Sequence, residues 1–244
     1  MKVFLDIETI PGESFRDEFL QAELENFKAP SSLTKTQACS DLGLTGNDAK
    51  FTSKDDAIAK WEEKFKLEKA PEVAEQKWLK TSFDGAKGEV CSIAWKVQGG
   101  EMQSVSQASH GDGVMMDIFF DHVKNNTDGR PPVFVGHYVG GFDLKFLFHR
   151  SIVLGIKPPF ALPFDGKHDN QFYCTQAAWA GFNGKIKQDD LAKLLGLPQK
   201  PDDIDGSKVY DFYKAGKIDR IEEYNRYDVE TVEKIYNRIN FIGA

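Results

Sequence analysis

Cysteine is scarce: Cys39, Cys91 and Cys174 are isolated, odd in number and form no Cys-x-x-Cys pair. That excludes a disulfide framework and a thiolate zinc site, and fits a reducing compartment. Long apolar runs are missing, and none approaches the ~20 residues needed to span a bilayer. The first residues lack the basic-then-apolar pattern of a secretion signal, so the expected location is the cytoplasm, with no membrane partner. Positive charge is in deficit, with 31 Lys and Arg against 38 Asp and Glu and a net charge of −7. A protein that coats nucleic acid through bulk electrostatics is disfavoured, because such affinity comes from neutralised phosphates. An acidic cleft whose sign is changed by bound cations remains open. Internal repeats and low-complexity segments are absent as well.

What is present is a globular composition, 41% hydrophobic and 28% charged, with 19 Phe over 244 residues. The length suits one α/β domain with an insertion. Met1 to Ile10 (MKVFLDIETI) has a strand's apolar run. Residues from Glu13 to about Gly88 are highly charged and poor in strand-forming runs, so about 13–88 is expected to be an insertion on a core of 1–12 and 89–244. Within it, helices are expected near Ser14–Phe27, Asp55–Glu68 and Pro71–Lys80, with a loop-like middle around Ser31 to Gly46. Glu89–Val97 and Glu101–Val105, joined by Gly99-Gly100, predict a hairpin. Asp112 is placed to cap a helix to about Lys124, with Val114, Ile118, Phe119 and Val123 on its apolar face. Further strands are expected at Val133–Val135 and Gln171–Thr175, and helices at Phe142–Leu154, Gln188–Leu195, Ser207–Ala215 and Asp219–Ile239. The order predicts a mixed sheet with helices packed against it.

Four carboxylates stand where apolar residues belong. Asp6 and Glu8 lie two apart in the first strand and so point to one face. Two like charges this close need a cation or a proton, unless the strand end is simply solvated. In the last helix, Ile221, Tyr224, Asp228, Val232 (with Thr231), Ile235 and Ile239 recur at three- and four-residue steps. Asp228 therefore sits on the buried stripe, one turn from Tyr224, bound to a metal or tied to a core Arg or Tyr. Asp143 opens an apolar helix, where an acid also complements the helix dipole. It follows a strand and a Gly-rich turn, the place where α/β sheets put their sites. Only oxygen ligands are on offer, which selects Mg²⁺ or Mn²⁺ over zinc. Two such ions ~4 Å apart are a known device for phosphodiester hydrolysis.

FLDIET, GHYVGGFDLKFL and YNRYD resemble the three motifs of the DEDD (DnaQ-like) 3′→5′ exonucleases. Tyr224, four residues before Asp228, fits the tyrosine (DEDDy) branch, since the histidine branch would want His at Glu223. LAKLLGL and DDIDGSKVYDFY, within Gln188–Asn237, look like the predicted phage and bacterial exonucleases related to the proofreading domain of B-type polymerases. The resemblance implies an RNase H-like mixed five-stranded sheet with the first strand central. It implies two Mg²⁺ or Mn²⁺ ions, one held by Asp6, Glu8 and Asp228 and the other by Asp6 and Asp143. Tyr224 would orient the attacking water. The N–H groups of Thr9 and Ile10 would receive the terminal 3′-hydroxyl, Ile10 would wedge against the last bases, and Tyr138 and Phe142 would offer stacking surfaces. The substrate would be the 3′ end of single-stranded DNA, cut to 5′-mononucleotides in a bacterial or phage-infected cytoplasm. A replication or repair protein acting in trans is an implied partner. Short RNA is the alternative substrate, and a non-catalytic binding module the alternative class. One departure is Tyr138, where the family commonly has Asn after Gly-His. His137 is expected to be structural, and Lys145, His149, Arg150, Lys185 and Lys187 are candidates for a basic rim.

Overall fold

In a computed structural model, described here for residues 1–164, 171–181, 183–201 and 203–243, five strands form one sheet in the order β3-β2-β1-β4-β5. They are β1 (Lys2–Ile10), β2 (Glu89–Val97), β3 (Met102–Ser106), β4 (Val133–Gly136) and β5 (Phe172–Cys174). β1 is central, antiparallel to β2 and parallel to β4. The alternation of its side chains divides the molecule. Val3, Leu5 and Ile7 enter a core with helices α5 (Asp112–Asn125) and α6 (Asp143–Leu154), through Met115, Phe119, Leu144 and Leu147. Phe4 packs on the opposite face against Val229, Val232 and Tyr236 of helix α10 (Ile218–Ile239). Asp6 and Glu8 follow Phe4 at two-residue steps, so they share the face that carries α10.

Two compact units are present, one of Met1–Pro11 with Thr81–Ala244 and one of Gly12–Lys80. Residues 81–88, placed with the insertion on sequence grounds, thus group with the sheet. Thr9 Oγ1 donates to the Ser82 carbonyl at 2.6 Å. Gly85 lies so close to α6 that a Cβ would stand 2.3 Å from the Phe146 carbonyl oxygen. These residues have no strand-like alternation, so nothing local announces their allegiance.

The smaller unit contains α1 (Arg16–Asn26), α2 (Lys35–Asp41), α3 (Gly46–Phe51) and α4 (Lys54–Leu79) around Phe27, Ala38, Cys39, Ala57, Trp61 and Ala70. Two expectations are corrected here. The loop-like middle contains α2, because the Thr34 side chain caps it by accepting from the Gln37 N–H and Ala38 and Cys39 bury its inner face, and α3 follows directly after it. The helices expected on either side of Pro71 are one helix, α4. Pro71 removes one bond to the carbonyl four residues earlier, at Leu67, which is 81% exposed and open to water.

On the sheet unit, α5 turns differently from its expected stripe. Met115, Met116, Phe119, Phe120 and Val123 are buried, while Val114 and Ile118 are exposed. Asp112 does not cap this helix but accepts from Arg150 Nε at 2.6 Å, which removes Arg150 from any basic rim. A short helix unforeseen in the sequence, α7 (Thr175–Ala180), follows β5 directly. Helices α8 (Gln188–Leu194) and α9 (Val209–Lys214) precede α10. Asp202 of the DDIDG segment lies outside the described residues.

Gly85→Ala is expected to destabilise the protein by about 1–3 kcal/mol, because backbone must yield to the methyl group. A fall in Tm of roughly 2–4 °C per kcal/mol would register it; an unchanged melt would show that residues 81–88 are not clamped to α6.

Candidate active site

The cleft floor is made at the carboxyl end of β1. Donor oxygens of Asp6, Glu8 and Asp228 all lie within 4.8 Å of one another. Asp228 arrives from α10, where Tyr224, Asn225, Asp228, Val229 and Val232 form the buried face. Asp143 arrives from the first turn of α6. The β1–β4 pairing ends at Phe4 and Val135, and beyond it the Ile7 N–H needs another acceptor. Asp143 Oδ1 supplies it at 3.1 Å. That bond fixes the fourth carboxylate beside the strand that carries the first two. Opposite Glu8, β2 bulges: Glu8 pairs with Ser92 but Thr9 with Val90, leaving Cys91 as the extra residue.

Four acids and one ammonium meet here. Lys200 Nζ donates to Asp228 Oδ1 at 2.7 Å and to the Tyr224 hydroxyl at 3.0 Å, and pairs with Asp189 at 3.2 Å. It also stands 4.2 Å from the centre of the Tyr224 ring. Gln188 Nε2 gives Asp228 Oδ1 a further bond at 2.6 Å. Lys200 and Gln188 were not foreseen. They lie 28 and 40 residues from Asp228 in the chain, and no local pattern marks either.

One cation does not balance four carboxylates. Burial, then the charges of Asp228, Asp143 and Glu8, push the Asp6 carboxyl well above the usual range. Burial and Asp228 do the same to Glu8. Asp143 rises to about 7, burial outweighing the backbone N–H groups that favour its charge. Burial also raises Asp228, against the pull of Lys200. Burial opposes the Lys200 charge, but Asp228 and Asp189 outweigh it and keep the ammonium. Burial and the nearby acids raise Tyr224, so its phenol stays protonated. A cluster of buried oxygen donors with surplus negative charge suits hard divalent cations, and the residues present fit the two-ion expectation.

The cleft has a volume of about 1130 Å³, and Tyr138, Phe142, His137, Lys185 and Lys187 line it beside the acids. Lys145 and His149 line a smaller adjoining groove. His137 is held at both ring nitrogens, by Thr175 Oγ1 (2.9 Å) and the Ile186 carbonyl (2.8 Å), in a structural tie. Thr9 and Ile10 do not line the cleft. Ile10 is 3% exposed and packs with Cys91, Ile221 and Tyr224, so it supports Tyr224 instead of meeting a base. Tyr138 is half-exposed with φ +66°, the left-handed region. Asn tolerates that region far better than a bulky residue does, which gives a backbone reason for Asn at this position in the motif. Gly141 makes the bend possible, since a Cβ there would meet the Tyr138 ring at 2.3 Å.

The family described as predicted 3′–5′ exonucleases related to the exonuclease domain of PolB matches residues 76–243. The chain belongs to that family. The matched span includes Asp143, Tyr224 and Asp228, and starts after the strand with Asp6 and Glu8. Among solved structures, the chain is similar to the family B DNA polymerase from the hyperthermophilic archaeon Pyrobaculum calidifontis. The TM-score is 0.53 and the identity 19%, covering 64% of this chain and 22% of the polymerase chain. That likeness is one of fold, and the mixed five-stranded sheet is consistent with the RNase H-like exonuclease fold. No curated protein matches the chain.

Two outcomes are expected from this family member's site. A carboxyl with a raised folded pKa binds protons more readily folded than unfolded, so stability is lost as pH rises from the ordinary carboxylate range toward about 7. Asp143→Asn should therefore raise the metal-free Tm at pH 8 and change it little at pH 5. An equal effect at both pH values would mean that Asp143 is not perturbed. Tyr138→Asn should relieve about 1 kcal/mol of backbone strain and raise the Tm by roughly 2–4 °C; a lower Tm would show that the Tyr138 ring packing outweighs it.

Proposed function

We propose that this chain is a metal-dependent 3′→5′ exonuclease of the tyrosine branch, acting on the 3′ end of single-stranded DNA and releasing 5′-mononucleotides. The observation that carries it is the convergence of Asp6, Glu8 and Asp228 within 4.8 Å, with Asp143 bonded to the main chain between the first two. A binding module has no use for four carboxylates crowded at the end of one strand. Asp6, Glu8 and Asp228 would hold one divalent ion, Mg²⁺ or Mn²⁺, and Asp6 with Asp143 a second. Such ions, when bound, supply Lewis-acid activation of the attacking water and neutralise charge on the leaving oxygen.

The protein's own groups orient and position. The Tyr224 hydroxyl, kept protonated and held next to Asp228 by Lys200, would hydrogen-bond the nucleophile. Lys200 and Gln188 both donate to Asp228 Oδ1 and hold that carboxylate in place. Tyr138 and Phe142 at the cleft wall offer surfaces to the terminal bases. Lys185 and Lys187 bring positive charge to the wall of an otherwise acidic cleft.

The test is digestion of matched 5′-labelled DNA and RNA strands with Mg²⁺, Mn²⁺ or EDTA. The expected result is a metal-dependent ladder shortening from the 3′ end of DNA, abolished in Asp228→Ala and Asp6→Ala. Asp6→Ala should remain folded, because it removes repulsion along with a ligand, and Asp228→Asn, which keeps an oxygen acceptor for Lys200 and Gln188, should lose activity without the cost of stranding that ammonium. Shortening of RNA alone would change the substrate. No shortening of either strand, with metal binding confirmed by calorimetry, would defeat the proposal.

A further inference from the structure

The turn at residues 81–88 belongs to no motif, yet it is firmly built. Beyond the Thr9–Ser82 bond and the Gly85–Phe146 approach, its Asp84 carbonyl accepts from the Lys87 and Gly88 N–H groups at 2.9 and 2.7 Å. The Asp84 carboxylate accepts from the Ala86 N–H at 3.0 Å. What this fixed turn presents is Phe83, 73% exposed. Single exposed apolar residues are common on protein surfaces, and Phe51, Leu67 and Phe241 are as open; what sets Phe83 apart is its neighbour. Its ring stands 6.3 Å from that of Phe142 at 61°, an edge-on contact that sets its orientation. Phe142 in turn lines the catalytic cleft next to Asp143.

Together these residues bound a groove of about 270 Å³ that continues the cleft through Phe142. Its far side is α6, where Lys145 and His149 stand four residues apart and so share one helix face. An aromatic ring and a cation thus line one groove that adjoins the acidic cleft. That pairing matches the alternation of base and phosphate in a single strand. Asp84 also lines the groove, but its carboxylate is engaged by its own turn.

We infer that Phe83 is a nucleotide-binding residue: a base of the single strand, upstream of the terminal nucleotide, stacks on the solvent-facing side of its ring, and Lys145 takes the adjoining phosphate. Phe142 backs the Phe83 ring and links this subsite to the cleft. The inference rests on the exonuclease proposal and adds to it a second point of grip. It accounts for a substrate longer than the one nucleotide being removed.

The experiment is fluorescence anisotropy of 5′-labelled oligothymidylates of two, four and eight nucleotides, in Ca²⁺ to limit turnover. The full chain is compared with Phe83→Ala, Phe83→Leu and Phe83→Trp. Wild-type affinity should rise with length from two to four, and Phe83→Ala should lose on the order of tenfold on the longer strands. Phe83→Trp should restore binding and Phe83→Leu should not, which separates stacking from mere apolar packing. A single abasic position walked along the strand should weaken wild-type binding at one place and leave Phe83→Ala indifferent there. Equal affinity of wild type and Phe83→Ala at every length and every abasic position would overturn the inference while leaving strand shortening intact. A wild type that neither binds nor shortens any strand would instead bring down the exonuclease proposal, and this inference with it. If Phe83→Ala melts early, the Trp and Leu variants still decide the matter.

Discussion

Like-charge crowding at the end of β1 is the constraint on which the site depends. Asp6 and Glu8 share a strand face, and Asp228 lies within 4.8 Å of both. Left alone, three such carboxylates would separate or take up protons. They stay because each is fixed by something that is itself fixed. The sheet sets β1, the apolar stripe of α10 sets Asp228, and a main-chain hydrogen bond sets Asp143. Burial first, and the neighbouring charges second, raise the Asp6, Glu8 and Asp143 carboxyls, so the confinement works against their ionised forms. Fold stability and site chemistry are therefore opposed at this point, and the packing of β1 between two helical layers carries the difference.

Lys200 changes how such a cluster can exist at all. Its ammonium touches Asp228, Tyr224 and Asp189 from a stretch of chain that is not regular secondary structure. It gives the acids one partner of opposite sign at all times, and aligns the Tyr224 hydroxyl with the Asp228 carboxylate. Arg150 shows the contrasting use of a cation: paired with Asp112 in the core unit, it fastens α6 to α5 and takes no part in the cleft.

Most of the sheet was legible because its signals are local. β1, β2, β4 and α10 announce themselves by period-two or period-3.6 apolar patterns, and the anomalous acids stood out against those same patterns. The failures are equally physical. Pro71 suggested a break, but one missing hydrogen bond does not end a helix that buries Trp61 and Trp78 on either side of it. Val114 and Ile118 were assigned to a core face that Met115 and Met116 occupy, a rotation of about one residue that composition cannot resolve. Ile10 looked free to meet substrate because its burial depends on Ile221 and Tyr224, more than 200 residues away. Lys200 and Phe83 stand among residues that follow no period, and Gln188 opens an expected helix whose pattern says nothing of which side chain reaches Asp228.

The position of β1 at the sheet's centre also bears on how the chain reaches its fold during synthesis. The strand is made first, yet its antiparallel neighbour begins at Glu89 and its parallel one at Val133. At ~5–20 residues per second, about 80 residues of translation leave VFLDIETI without a sheet partner for roughly 4–16 s. The two acids that later stand side by side at the cleft floor are, during that interval, the charges that interrupt an otherwise apolar strand. Charges so placed guard unpaired strands against association with other chains. By that rule the Asp6 and Glu8 charges oppose pairing of the strand with other chains until its own neighbours are made.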